Sequence, residues 1–191
     1  MLEEGKHRRT RNDPVSVSFT LLDIARMVMG ILLLNAFLSF WFTSSTVWGY
    51  DGKLLNPQYL KFKTFGSYLN LSVEELSLFN GSDPKLPIYI AIGGRIYDVS
   101  SSSKIYGVGN SYNKFSGKDA SRVFHTGCLY KEDEYTYDLR GLDEEKAWKD
   151  IHQWQNYYDN HKKYWYVGTV QHKTLRGDPP SPCINTMKYH Q

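Results

Sequence analysis

Tyr106 and Tyr112 flank the glycine-containing segment 107–111, the part of the sequence that most directly suggests metal chemistry. A phenol, whose ordinary pKa is about 10, is neutral at pH 7 unless a metal or a cation draws off its proton. Fe(III) does this, because a hard anionic oxygen favours the ferric state, and tyrosinate is a known haem axial ligand. Loop tyrosines more often serve packing or hydrogen bonding, so a ligand site here is a hypothesis at this stage.

The remaining reactive residue types form no familiar catalytic or nucleotide-binding pattern. Gly107-Val108-Gly109 lacks the third glycine of a dinucleotide fingerprint and the Lys of a phosphate loop. His125, His152 and His161 could approach one another, but without His-Glu-x-x-His spacing we expect surface histidines. An acidic cluster, expected to be solvated or to face a partner, comprises Asp133, Glu134, Asp138, Asp143, Glu144 and Glu145. No nucleophile is paired with a base, so the sequence favours a binding protein over an enzyme.

The composition excludes several classes of protein. The 191 residues carry 23 Lys and Arg against 20 Asp and Glu, and a net charge of +3 is too small for a dedicated nucleic-acid binder. Two cysteines cannot form a four-thiolate zinc site, and without Cys-x-x-Cys there is no thioredoxin-type motif. A hydrophobic fraction of 41% is enough for a core, whereas the 15 tyrosines exceed ordinary usage and need an explanation.

The run from Met27 to Trp48 contains no charged residue and is predicted to span a membrane. Its 22 residues would form a helix about 33 Å long, enough to cross a bilayer. Asn35 and Ser39 share one helix face, while Trp41 and Trp48 lie where interfacial aromatic residues are expected. The alternatives are a cleaved signal peptide, disfavoured by the long polar leader, and a buried soluble helix, disfavoured by the lack of an amphipathic pattern.

Basic residues cluster before this run, which predicts a cytoplasmic N-terminus, a single membrane pass and a C-terminal domain in the lumen of the endoplasmic reticulum or another endomembrane compartment. The basic residues before the run are Lys6, Arg8, Arg9, Arg11 and Arg26, and those after it are Lys53, Lys61 and Lys63. Candidate glycosylation sequons at Asn70 and Asn80 suit a lumenal location.

Local patterns after the run predict a short helix followed by a hairpin. Ser72 and Glu75 have the spacing of a capping box at the start of a helix. The β-rich runs 88–92 and 95–99 are separated by Gly93-Gly94, a pair that tolerates the positive φ angles of a tight turn.

Two helices and a closing strand complete the predicted domain. One helix is expected at 119–124, ended by Gly127, and a longer one begins after Asp143. The apolar stripe of the longer helix consists of Ala147, Ile151, Trp154 and Tyr158. A strand is expected from 163 to 170, and the proline-containing segment 171–191 is predicted to be a tail.

Three ordered segments carry a family resemblance. They are Ile90–Ser100 (IAIGGRIYDVS), Tyr112–Arg122 (YNKFSGKDASR) and the pair Lys163-Tyr164 before Val167-Gly168. Together they resemble the cytochrome b5-like haem/steroid-binding domain of the membrane-associated progesterone receptor family, most closely its neuferricin and neudesin branch, over residues 71–170. The resemblance implies an α+β fold in which a small sheet carries helix pairs, and the cleft between them holds haem b.

The resemblance also implies roles for four residues. Tyr112 matches the axial tyrosinate, Tyr106 the other loop tyrosine, and Lys163 with Tyr164 the pocket-lining pair. Lys163 could neutralise a propionate or the ligating oxygen, and Tyr106 or Tyr164 could donate a hydrogen bond that tunes the iron. No His-Pro-Gly-Gly is present, so the bis-histidine ligation of cytochrome b5 is not expected. The loop before Tyr112 also lacks the family's common prolines, which is expected to loosen it.

The expected function is that of a non-catalytic, membrane-anchored haem-binding module. By resemblance it would sense or carry haem, or bind partner enzymes of sterol metabolism such as haem-containing monooxygenases. The alternative is a scaffold without haem, whose cleft is empty or takes a sterol, a steroid or a protein partner.

Five regions are predicted, with one candidate cross-link between the last two. The regions are a leader (1–26), a transmembrane signal anchor (27–48), a spacer (49–70), the cytochrome b5-like domain (71–170) and a tail (171–191). In an oxidising lumen Cys128 could pair with Cys183, and two free thiols are the alternative.

Overall fold

The computed structural model describes residues 19–181 and residue 183. The chain divides into two units, residues 1–50 and 51–191. The basic residues Lys6, Arg8, Arg9 and Arg11, on which the predicted orientation partly depends, lie outside the described residues, as do positions 182 and 184–191 of the predicted tail.

The first unit contains one long helix, α1 (Leu21–Thr43), which is long and apolar enough to cross a membrane. It begins six residues before the charge-free run, because Thr20 and Asp23 form a capping box that fixes the first turn. It ends at Ser44, which has a left-handed conformation with φ 54°. The helix and the charge-free run therefore have different bounds, because caps set helix ends whereas charges set the limits of the apolar run.

The residues after α1 return to the predicted polar face of the helix. The indole Nε1 of Trp48 donates a hydrogen bond to Asn35 Oδ1 at 2.8 Å, and the backbone N–H of Trp48 donates to Ser39 Oγ. Asn35 and Ser39 therefore share one face, as predicted, and both contact Trp48.

The second unit is built on a four-stranded sheet with strand order β1–β4–β3–β2. The strands are β1 (Leu69–Ser72), β2 (Tyr89–Ile92), β3 (Arg95–Asp98) and β4 (Trp165–Gln171). Strand β1 is parallel to β4, whereas β3 is antiparallel to both β4 and β2. The predicted β2–β3 hairpin is confirmed, and its turn residues Gly93 and Gly94 have φ angles of 58° and 77°.

Helices pack on both faces of this sheet. They are α2 (Pro57–Phe65), α3 (Val73–Ser77), α4 (Ser103–Tyr106), α5 (Ser121–Thr126) and α6 (Glu144–Asn160), with 3₁₀ turns at Lys53–Leu55, Ser100–Ser102, Asn113–Phe115 and Glu132–Glu134. The capping box at Ser72, the left-handed Gly127 after α5 and the Asp143 cap of α6 are confirmed. On α6, Gln155 rather than Trp154 is buried with Ala147, Ile151 and Tyr158, because its amide donates to the Ile92 carbonyl at 2.9 Å.

Alternation along the strands produces two cores. Ile90 and Ile92 face α5 and α6, whereas Tyr89 and Ala91 lie in the cluster with Leu76 of α3. The predicted spacer, residues 49–70, contributes α2 and β1 to this second face. The structured part of the second unit thus begins near Asp51, before the predicted start of the domain.

Candidate functional site

A small cavity, here called the aromatic cavity, lies among the loop after α4 and helices α5 and α6. It has a volume of about 210 Å³. Its walls include Tyr106, Tyr112, Phe115, Phe124, Trp154 and Tyr158. Two of the four residues predicted for the site therefore line one cavity, in surroundings that are mostly aromatic.

The two loop tyrosines differ in exposure and in hydrogen bonding. Tyr106 is 5% exposed, and its hydroxyl is 2.8 Å from that of Tyr158. Burial raises the pKa of both phenols, so each stays protonated at neutral pH. Tyr112 is 44% exposed, and its hydroxyl has no hydrogen-bond partner within residues 19–181 and 183. Tyr112 is consequently the loop phenol that a ligand can reach.

Hydrogen bonds hold the loop that carries Tyr112, although the loop contains no proline. The Asn113 side chain donates to the carbonyls of Tyr106 and Asn80 at 2.8 and 2.9 Å. Ser116 Oγ donates to the same Tyr106 carbonyl at 2.8 Å, and the Tyr112 N–H donates to Ile105. The expectation of a loose loop does not match this network, because side-chain amides and hydroxyls replace the constraint of proline.

Tyr164 packs against Tyr106 without lining the cavity, and Lys163 pairs with Asp51. The Tyr164 ring packs edge-on against Tyr106, with ring centroids 6.0 Å apart, and its hydroxyl donates to Ser102 Oγ at 3.0 Å. The Lys163 ammonium is 2.6 Å from Asp51. Hydrogen bonds from Lys163 and Lys162 lower the pKa of the Asp51 carboxyl to about 2. Three predicted tyrosines thus come together, while the charge of Lys163 pairs with a residue of the predicted spacer.

Tyr158 belongs to the site although the sequence indicated only a packing role for it. A tyrosine on the buried stripe of a helix needs a partner for its hydroxyl, and the tyrosine-containing loop provides one. His161 was expected at the surface, but its ring stacks on Tyr164 with centroids 3.8 Å apart. His125 instead pairs with Asp150 at 2.8 Å, so the two histidines have separate partners.

A buried ion pair supports the helix that forms one cavity wall. Arg122 of α5 is 1% exposed, and its Nε donates to Glu134 Oε1 at 3.0 Å. Its other nitrogens donate to the carbonyls of Asp138, Arg140 and Pro180. Glu134 and Asp138 are buried, so the expectation of a solvated acidic cluster is wrong for these two residues, because the Glu134 carboxylate pairs with Arg122 and that of Asp138 pairs with Arg140.

The tail is attached beside the aromatic cavity. Cys128 and Cys183 form a disulfide, with Cα atoms 6.3 Å apart. Cys128 lies between Gly127 and Leu129, both of which line the cavity. The structure therefore contains the candidate cross-link, and it constrains a cavity wall.

The donor set available near the cavity suits iron bound through a phenol. Within residues 19–181 and 183, no group of three or more His, Cys, Asp or Glu side chains could hold a metal ion. Ferric haem accepts an anionic phenol oxygen as an axial ligand. Tyr112 is an accessible phenol that lies beside phenols that stay protonated. The residues present therefore fit a haem held through Tyr112.

The second unit is similar to known proteins. Residues 72–171 match the family described as Cytochrome b5-like Heme/Steroid binding domain. The "Probable steroid-binding protein 3" of Arabidopsis thaliana is 38% identical over 103 residues, which are 53% of this chain and 98% of that protein. The "Membrane steroid-binding protein 2" of the same plant is 42% identical over 113 residues, 58% of this chain and 46% of that protein.

Longer relatives are matched over a smaller share of their length. A "Neuferricin homolog" of Caenorhabditis briggsae is 40% identical over 97 residues, 51% of this chain and 28% of that protein. Several curated relatives are thus matched over less than half of their length. A solved Arabidopsis thaliana structure described as having a cytochrome b5-like fold shares 37% identity, covers 54% of this chain and 91% of that chain, and has a TM-score of 0.48.

Proposed function

The chain belongs to the cytochrome b5-like haem/steroid-binding domain family, and we propose that it is a membrane-anchored haem-binding module. In this proposal Tyr112 is the axial ligand of ferric haem b. The observation that carries the proposal is the contrast between Tyr112 and its neighbours. Tyr112 presents an unpaired phenol at an aromatic cavity, whereas Tyr106, Tyr158 and Tyr164 have their hydroxyls paired within the protein.

The remaining cavity residues have supporting roles in this proposal. The hydroxyls of Tyr106 and Tyr158 share one hydrogen bond and keep the cavity floor uncharged, so Tyr112 is the phenol whose oxygen would bind iron as an anion. Tyr164 fixes the position of the Tyr106 ring. Lys163 is a cation that can exchange from Asp51 to a propionate. When bound, haem would supply a ferric centre, and with no base or nucleophile assigned we propose sensing or carriage of haem rather than catalysis.

The cellular setting is part of the proposal. Helix α1 serves as a single-pass anchor, with the second unit in the lumen of the endoplasmic reticulum or another endomembrane compartment. The Cys128–Cys183 disulfide supports an oxidising compartment. The sequons at Asn70 and Asn80 are proposed glycosylation sites, and enzymes of sterol metabolism, including haem-containing monooxygenases, are the proposed protein partners.

Hemin titration of the full chain in lipid nanodiscs tests the axial role. Wild type is expected to give a Soret band and a ferric charge-transfer band. Tyr112→Phe is expected to lose the charge-transfer band and to bind at least about 100-fold more weakly, since outer-shell partners alone change metal affinity 10- to 100-fold. Tyr68→Phe is the matched control, because Tyr68 is an exposed tyrosine outside the cavity. Identical spectra for wild type and Tyr112→Phe would remove Tyr112 from the axial role.

Steroid binding is a second candidate function, favoured by the names of the relatives. Two of them are called steroid-binding proteins, and we propose the same ligand class for this chain. A cavity that encloses a drug-sized ligand has about 300–1,000 Å³. The aromatic cavity, at about 210 Å³, encloses neither a whole steroid nor a whole haem, so a ligand held by the exposed Tyr112 would lie partly outside it and an enclosed steroid requires another place in the fold.

A further inference from the structure

The opposite face of the sheet has a larger cavity, here called the α2 groove. It lies among helix α2, the loop from Gly81 to Ile88 and strands β2, β3 and β4, and its volume is about 730 Å³. The residues that matter for its chemistry are Lys61, Phe62, Leu86, Tyr89, Asp98 and Trp165. Its volume lies within the range of cavities that enclose a drug-sized molecule.

A buried carboxylate and a buried phenol face each other across two strands in this groove. Tyr89 of β2 and Asp98 of β3 are partners in the strand register, and they are 8% and 4% exposed. The hydrogen bonds to the Asp98 carboxylate come from Ser100, which leaves part of its acceptor capacity unused. The Tyr89 hydroxyl has no hydrogen-bond partner in the described part of the chain. No buried side-chain nitrogen or oxygen among the described residues lacks a partner, so the Tyr89 hydroxyl is open to solvent in the groove, where a ligand can reach it.

The walls around the polar pair are aromatic and aliphatic. Phe62 comes from α2, Leu86 from the loop and Trp165 from β4. The Tyr59 ring packs on Trp165 with centroids 5.3 Å apart, which fixes α2 on the sheet. Helix α2 lies outside the segment that matches the family, residues 72–171, so one wall of the groove is formed by residues that precede that segment.

We propose that the α2 groove is the steroid site of this protein and that it selects steroids or sterols bearing a hydroxyl at the buried end. The hydroxyl donates to the Asp98 carboxylate and accepts from the Tyr89 phenol, while the fused rings lie against Phe62 and Trp165. This inference rests on the proposed steroid binding, and it separates the steroid from the haem by placing them on opposite faces of the sheet. A ketone in the same position has no proton to donate, so the carboxylate is left without a partner.

The test compares pregnenolone with progesterone, which present a hydroxyl and a ketone at the same ring position. Binding of each is measured on the full chain in nanodiscs, with empty nanodiscs as background. Wild type is expected to bind pregnenolone about tenfold more tightly, the effect of one hydrogen bond to a charged group. Tyr89→Phe and Asp98→Asn are each expected to weaken pregnenolone binding about tenfold, and Asp98→Asn is expected to remove the preference.

Hemin titration of the same variants separates this inference from the haem proposal. Asp98→Asn and Tyr89→Phe are expected to keep the wild-type Soret band, which also reports a folded domain. Tyr112→Phe is expected to lose the hemin spectrum and to retain pregnenolone binding. Pregnenolone binding that is absent in wild type, or that survives both groove variants unchanged, overturns the groove assignment whatever hemin does. If Asp98→Asn fails to fold, the conservative Tyr89→Phe decides.

Discussion

The aromatic cavity and the α2 groove lie on opposite faces of one sheet and differ in how their polar groups are satisfied. In the cavity the buried phenols of Tyr106 and Tyr158 pair with each other, and the half-exposed Tyr112 is available. In the groove the buried Asp98 and Tyr89 keep unused hydrogen-bonding capacity. A site with paired, neutral walls and one accessible phenol suits a metal, whereas a deep carboxylate beside a phenol suits a ligand hydroxyl.

The two sites also differ in which part of the chain forms them. Every residue of the aromatic cavity lies within the family-matched segment 72–171. The groove adds α2, which lies outside that segment. The proposed haem would therefore contact only the family-matched segment, whereas the proposed steroid would also contact residues that precede it.

Removal of the disulfide is expected to affect the cavity and to leave the groove unchanged. Cys128 adjoins the cavity residues Gly127 and Leu129, and it is joined to Cys183 across 55 residues. A cross-link of this kind stabilises a protein by about 2–4 kcal/mol. Cys128→Ser/Cys183→Ser should lose that much unfolding free energy in urea denaturation and should bind hemin more weakly, with unchanged pregnenolone affinity. Wild type in reductant should match the double variant, and a larger loss of pregnenolone binding than of hemin binding would contradict the assignment.

The pH dependence of the unfolding free energy is expected to report on Asp98 in the α2 groove. Burial raises the pKa of Asp98 from 3.8 to about 6, so between these values the folded protein binds more protons than the unfolded chain. The unfolding free energy contributed by this residue therefore falls as pH rises from about 4 to 7, by up to about 3 kcal/mol. The unfolding free energy of Asp98→Asn relative to that of wild type should therefore increase by that amount as the pH rises from about 4 to 7.

The control for this experiment is a second carboxylate of the same groove. Asp83 is exposed, so Asp83→Asn removes a carboxylate from the same groove without removing a buried one. The groove also has the cationic side chains of Lys61 and Lys85 in its walls. A flat difference between Asp98→Asn and wild type from pH 4 to 7 would show that Asp98 is not buried in its charged form.

The parts of the fold that local residues determine were predictable from the sequence. The Gly93-Gly94 turn, the Ser72 capping box and the Asp143 cap each depend on a few neighbouring side chains, and all three are present. Helix α2 and strand β1 were not predicted, because α2 has no clear apolar stripe and β1 forms only by pairing with the distant β4. Long-range pairing leaves little trace in a short segment.

The family resemblance was enough to predict which tyrosines come together at the site. It was not enough to predict the hydrogen-bond partners that determine the role of each tyrosine. Tyr106, Tyr112 and Tyr164 do come together. The sequence around a tyrosine does not show whether its hydroxyl is accessible or already hydrogen-bonded. Tyr158, the partner of Tyr106, lies on a helix 52 residues further along the chain. The groove required α2 to be placed on the sheet, so its polar pair could not be recognised from the sequence.

The smallest expected effect concerns Lys163, the predicted site residue that pairs with Asp51. A partly exposed ion pair holds a lysine only weakly, so the ammonium can exchange to a haem propionate at little cost. Asp51→Asn removes the competing carboxylate and should raise hemin affinity about two- to threefold at low salt, with the effect screened at high salt. The gain should disappear in Asp51→Asn/Lys163→Met, and pregnenolone affinity should stay constant in both. An equal gain with and without Lys163 would mean that this lysine does not contact the haem, and the aromatic cavity would then hold its ligand through phenols alone.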